Sequence, residues 1–164
     1  MKNQKLDYIR GTLLHRVGIS MHIRVFESQD MESIIDLANK YASFDSDVSE
    51  ADFQPAWAFQ KGLLVAEEDN QIVGFVFAYL REVPSVVLTR WEVSKVAQIE
   101  LLVVDPQYRG QGIGESLMNQ LLESLREEEI DIVLLHCPAT ASEAKSLYDK
   151  LGFETRAYAM KKRL

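Results

Sequence analysis

The chain has 164 residues, one cysteine and a formal net charge of −7. That length fits one domain with a sizeable core. The acidic balance deepens to −10 over residues 21–164, which argues against nucleic acid as a partner and permits a cationic one. The lone Cys137 cannot pair within the chain, no apolar run is long enough to span a membrane, and the first residues lack a secretory pattern. These features predict a cytoplasmic domain with no membrane partner.

Residues 1–20 match neither the helical nor the strand period. They are expected to be an N-terminal extension, peripheral or poorly ordered, either a short docked helix or a stretch upstream of the domain proper, which runs from residue 21 to 164. His22 to Phe26 alternates Ile23 and Val25 with polar neighbours and reads as a strand. Ser28-Gln29-Asp30 offers cap residues for a helix to about Tyr41. His15 and His22 have no companions at metal-ligand spacing, so no metal is expected. Ser43 to Gly62 mixes Asp45, Asp47, Glu50 and Asp52 with Phe44, Phe53, Trp57 and Phe59. Two readings stay open here: a solvated acidic loop with its aromatics in the core, or one wall of a pocket for a cation. A short helix from Ser49 is expected to end near Pro55.

Leu63 to Glu67 and Ile72 to Leu80 read as a hairpin turning at Glu68 to Gln71, with Gly74 marking a bulge. Ser85 to Leu88 is expected to extend the pairing, and Trp91 to pack. Val96 to Val104 is a strand that stops at Asp105-Pro106. Then comes Arg109-Gly110-Gln111-Gly112-Ile113-Gly114, followed by a helical pattern with Ile113, Leu117, Leu121, Leu122 and Leu125 on one face. Strand, glycine-rich turn and helix together offer backbone N–H groups and a dipole to phosphate. A Walker loop needs a lysine that is missing here, and the glycines miss the dinucleotide spacing by one. Ile130 to His136 reads as a strand parallel to the one before the turn, since a helix returns the chain between them. Cys137 is expected to be a small buried residue. Ser142 is expected to cap a helix that Gly152 ends, and Phe153 to Thr155 and Tyr158 to Lys162 are expected to be closing strands.

Three motifs in this order resemble the GNAT superfamily of acyl-CoA-dependent N-acyltransferases. Gln107-Tyr108-Arg109-Gly110-Gln111-Gly112 is similar to its Q/R-x-x-G-x-G/A signature. Val103-Val104-Asp105-Pro106 is similar to its lead into the phosphate loop, and Leu147-Tyr148-Asp149-Lys150-Leu151-Gly152-Phe153 to its L-Y-x-x-x-G-F ending. The resemblance implies an α+β fold of three layers. Its central sheet is mixed but mostly antiparallel, splays between two parallel strands, and carries helices on both faces. The co-substrate implied is acetyl-CoA, with no metal. Its pantetheine arm would pair with main chain at Leu102 and Val104, and its pyrophosphate would rest on Arg109 to Gly114, with Gln107 in the same signature. A main-chain N–H near Val103 or Val104 would hold the oxyanion.

The acceptor implied is a primary amine of a small molecule or peptide. Such an amine, with a pKa of about 10.4, must lose a proton before it attacks. The resemblance points to Glu100, expected on the strand face of Gln98 and Leu102, as base, with an edge carboxylate held in a salt bridge as the alternative. Tyr148 matches the tyrosine that faces the coenzyme sulfur and would act as acid. The family's asparagine seven residues earlier is Ala141 here, flanked by Thr140 and Ser142. Two functions remain open: direct acetyl transfer, and a non-catalytic acyl-CoA-binding or sensing module. Homodimers are common in this superfamily.

Overall fold

The computed structural model describes residues 13–16, 19–42 and 47–163. A six-stranded sheet runs in chain order: β1 (Leu13–Arg16), β2 (Ile19–Val25), β3 (Leu63–Glu68), β4 (Gln71–Leu80), β5 (Val96–Val104) and β6 (Ile132–Leu135). All neighbours are antiparallel except β5 and β6, which run parallel. Five helices flank it: α1 (Met31–Tyr41), α2 (Gln54–Ala58), α3 (Ser85–Trp91), α4 (Ile113–Glu127) and α5 (Ser142–Lys150).

Each face of the sheet carries its own core. On one face Phe75, Phe77, Leu101 and Val103 meet Ile34, Leu37 and Ala38 of α1, together with Phe53 and Ala56. Phe53, Phe75 and Phe77 are almost wholly buried, and each contributes about 1.5–3 kcal/mol by leaving water. On the other face Val76, Ala78, Ala97 and Ile99 meet Ile113, Leu117, Met118, Leu121 and Leu125 of α4, with Tyr148 of α5. The sequence placed Leu122 on that α4 face. It is only half-buried, and Met118 takes the central place.

Several local expectations are corrected. Leu13–Arg16 pairs with β2 as an edge strand rather than forming a docked helix, because the open edge of β2 supplies a ladder that local periodicity does not reveal. The rest of residues 1–12 and 17–18, and Phe44 and Asp45, lie outside the described residues. The short helix expected from Ser49 is present as the tight turn Glu50–Phe53, which ends just before Pro55, and Pro55 itself stands in the first turn of α2, a position that needs no backbone N–H. Ser85–Leu88 is helical, not strand. Pro84 stands at the N-cap and Glu92, at φ 57°, ends the turn. Ser142 lies inside α5, after Ala141 at the cap. Gly152, at φ 85°, does close that helix, with Phe153 N–H donating to the Tyr148 carbonyl at 2.9 Å. Residues 153–163 form no strand. Tyr158 and Met160 are 86% and 94% exposed, and the Arg156 guanidinium lies 4.2 Å from the centre of the half-exposed Trp91 ring. Cys137 is half-exposed rather than buried.

Candidate active site at the parting of two strands

Two irregularities build the site. The first is a bulge. Phe77 pairs with Leu101 and Ala78 with Ile99, so Glu100 is an extra residue with no partner on β4. It breaks the alternation: Ala97 and Ile99 pack on the α4 side, whereas Leu101 and Val103 pack on the α1 side. Gln98 and Leu102 therefore lie on opposite faces, contrary to simple period-two reading. Glu100 itself is exposed, and among the described residues it has no ion-pair partner. Its charge reaches the Tyr79 phenol. Burial foremost, and this carboxylate after it, push the Tyr79 pKa upward, while Arg81 pulls it back.

The second irregularity is that β5 outruns β6. Their pairing ends at Ile99 with Leu135, while β5 continues to Val104. Asp105 N–H donates to the Val73 carbonyl at 2.9 Å on the β4 side. Strand alternation then turns the main-chain groups of Val104 and Leu102 toward the opposite, unpaired edge, and those of Val103 toward β4. Of the two amides proposed from sequence to hold an oxyanion, Val104 thus faces the opening.

Beyond β5, Asp105 organises the turn. Its Oδ1 accepts from Gln107 N–H at 2.9 Å, and Tyr108 N–H donates to its carbonyl. Arg109 N–H is engaged by the Pro106 carbonyl at 3.4 Å, and its Nε donates to the Val104 carbonyl at 3.0 Å. Gln107 and Arg109 therefore spend their amides inside the chain, and Arg109 acts as a brace between turn and strand. Gly110 and Gly112 sit at φ 72° and 84°, backbone that a Cβ disfavours. The next amide to find an acceptor is Ser116, on the Gly112 carbonyl at 3.0 Å. Among the described residues the N–H groups of Gly110, Gln111, Gly112, Ile113 and Gly114 have no backbone acceptor, so they form a cradle for an anion at a helix N-terminus.

Tyr148 is 8% exposed, in the α4-side core with Ile99, Leu135 and Cys137. Its ring meets Phe153 edge-on at 5.9 Å. Burial, and secondarily Cys137, raise its pKa, which keeps the phenol protonated. Tyr148 and Glu100 thus belong to opposite sides of the sheet at the same parting. In the Ser49 to Gly62 region Phe53 and Phe59 are core residues, and Asp52 is spent on the Ser49 N–H and hydroxyl. Trp57 is exposed, with its edge on Phe26 at 5.1 Å. Sequence reasoning missed Tyr79, Arg81 and His136. The usable signal was Gln98, a polar residue inside an apolar strand.

The family model described as the acetyltransferase (GNAT) family matches residues 31–153. The chain belongs to this family. It is 29% identical over 142 residues to an uncharacterised N-acetyltransferase of Methanocaldococcus jannaschii, covering 82% of this chain and 61% of that one. It is 29% identical over 144 residues to the L-2,4-diaminobutyric acid acetyltransferase of Vibrio cholerae, covering 87% and 77%. A mycothiol acetyltransferase of Acidothermus cellulolyticus is 30% identical over 104 residues, 61% of this chain but only 32% of its own length. The chain therefore spans less than two thirds of some relatives it matches. Among solved structures, Ard1 from Thermoplasma volcanium superposes with a TM-score of 0.67 at 25% identity, covering 84% of each chain. Naa50 of Arabidopsis thaliana, with a bisubstrate analogue containing CoA, gives 0.67 at 21% identity, with 84% and 85% covered. The mixed α+β sheet read from the sequence is the fold of these neighbours. Among the described residues no helix is long and apolar enough to cross a membrane.

Proposed function

We propose that this chain is an N-acetyltransferase that moves acetyl from acetyl-CoA directly to a primary amine. The observation that carries the reading is the edge of β5 beyond Ile99, which has no strand partner among the described residues and has its Val104 carbonyl taken by Arg109 Nε, followed after one turn by the amide cradle at Gly110 to Gly114. An extended pantetheine arm can add to Leu102 and Val104 as a short strand, while the diphosphate takes the cradle. The Val104 N–H faces the thioester oxygen and stabilises the charge that develops there.

Glu100 accepts a proton from the acceptor ammonium, directly or through water. The freed amine nitrogen attacks the thioester carbonyl carbon. The adduct nitrogen then loses its second proton to water and the C–S bond breaks, giving the acetamide and coenzyme A, and Glu100 returns its proton to solvent. Tyr148, held protonated by burial, gives its proton to the departing sulfur and recovers one from solvent. Thr140 or Ser142, whose hydroxyls are exposed beside Ala141, stands in for the asparagine of other family members. Relatives and neighbours carry names that span an amino acid, a sugar phosphate and peptide complexes. They support an amine acceptor without choosing one.

The same reading includes a cytoplasmic location, where acetyl-CoA is made and Cys137 stays reduced. It also includes a homodimer. Support for the dimer comes from the outer edge of β6, unpaired among the described residues, and from exposed Tyr158 and Met160 on the unpaired tail. The decisive test is calorimetric binding of acetyl-CoA against ATP and NAD, followed by thiol release with an amine panel. Selective acetyl-CoA binding with turnover supports the enzyme. Binding without turnover favours the sensing module, and no binding by folded protein overturns both.

A further inference from the structure

We propose that Arg81 is a carboxylate-binding residue of the acceptor site, so that the acceptor carries a carboxylate as well as its amine, as a free amino acid does. The proposal rests on the acetyl-transfer reading above. Gln98 is the observation that carries it. This glutamine is 2% exposed in the middle of an apolar strand, a position that is costly unless every polar atom is used. All of them are used. Its Oε1 accepts from Arg81 Nη1 at 3.0 Å. Its Nε2 donates to the Ile99 carbonyl at 3.2 Å and lies 3.3 Å from His136 Nδ1.

The buried amide therefore orients a guanidinium without neutralising it. Arg24 shows the contrast, since it is fully engaged by the carboxylates of Asp30 and Glu67. Among the described residues no carboxylate lies within ion-pairing distance of Arg81. One of its five N–H donors is spent on Gln98, and the side chain is exposed, so a forked pair of donors remains for a planar anion.

The position is right for the acceptor. Tyr79 and Arg81 alternate onto one side at the end of β4, and Gln98 pairs opposite Tyr79. Glu100 follows two residues along β5, roughly 6–7 Å at strand rise. Both charges act on the same Tyr79 phenol, Glu100 raising and Arg81 lowering its pKa after the dominant effect of burial. A cation site and an anion site thus stand beside each other where β5 and β6 part. An amine at Glu100 and a carboxylate at Arg81 fit one small zwitterion.

The test uses lysine and ornithine beside their decarboxylated counterparts cadaverine and putrescine, plus lysinamide. Each is titrated calorimetrically into the protein saturated with coenzyme A, so that binding is read without turnover. The amino acids are expected to bind at least about tenfold tighter than their diamines, in line with a charge-assisted pair. Arg81→Gln is expected to erase that preference, and Arg81→Lys to keep part of it. Equal binding of amino acids and diamines by the wild type overturns the proposal, as does a preference that survives in Arg81→Gln. So does a protein that binds acetyl-CoA but none of these amino acids. A protein that fails to bind acetyl-CoA at all refutes the acetyl-transfer reading itself, and the subsite with it.

Discussion

Ile99 pairs with Leu135 and is the last residue of β5 to have a partner on β6. The next residue, Glu100, is the bulge. The loss of the β6 partner and the loss of strand alternation therefore fall at one point. The opened edge and the exposed carboxylate come from two irregularities that meet at this point, and the proposed chemistry depends on their coincidence.

Glu100→Gln tests the base. The carboxylate is exposed and has no ion-pair partner among the described residues, so its replacement should leave stability within about 0.5 kcal/mol. We expect kcat to fall roughly 10²-fold, the scale of lost general-base assistance, with the acetyl-CoA dissociation constant unchanged. An unchanged kcat would assign proton removal elsewhere.

Tyr148→Phe tests the acid. Among the described residues the Tyr148 hydroxyl makes no hydrogen bond, so losing it should cost less than about 1 kcal/mol in a denaturant titration. Turnover should fall while coenzyme binding holds. Because burial raises the Tyr148 pKa above its ordinary value near 10, the wild-type rate should show no alkaline loss from this group below about pH 10. A fall in rate near pH 8 that Tyr148→Phe abolishes would contradict the assignment.

Gly112→Ala tests the cradle. Gly112 sits at φ 84° with open space around a would-be Cβ. The cost is therefore backbone strain alone, about 1–2 kcal/mol. Relief of that strain would swing the amides of Gly112 and Ile113, so acetyl-CoA affinity should drop about tenfold or more. An unchanged affinity, measured by calorimetry, would show that these amides are not used.

Arg24 and Asp30 make a stability switch at low pH. Burial alone would raise the Asp30 pKa, but the Arg24 guanidinium and the Glu27 N–H outweigh it and hold the carboxyl below its usual range. A depressed carboxylate stabilises the fold above its unfolded pKa of about 3.9. That contribution is lost as pH falls further, through the folded value. Asp30→Asn should lower Tm at pH 7 and flatten the dependence of Tm on pH below about 4. An unaltered acid limb would remove Asp30 from the account.

The proposed dimer is tested by light scattering at micromolar concentration. Tyr158→Glu combined with Met160→Glu should leave a folded monomer if the tail and the β6 edge join two copies. A wild type that is monomeric throughout removes that part of the reading.

Much of this protein was written locally. The glycine turn, the apolar stripe of α4, the Asp69-Asn70 hairpin and the Gly152 helix end each depend on residues within one or two turns of chain. Their backbone demands are met by particular side chains or by none, so the family fold and the glycine turn proposed as an anion cradle were legible in the sequence alone. What only the tertiary structure decided involves partners far apart in sequence. Leu13–Arg16 becomes a strand because β2 offers an edge. After the Ser49 turn ends, the chain continues through Pro55 into α2, which carries Ala56 into the core with Phe53 and Phe77. Tyr158 to Lys162, with the composition of a strand, is left unpaired. The Glu100 bulge is invisible to period-two reading, since a bulge exists only relative to the strand opposite. Gln98 could be noticed in the sequence, but its partners Arg81 and His136, 17 and 38 residues away, were chosen by the register of β4 on β5 and by the return of β6 beside them.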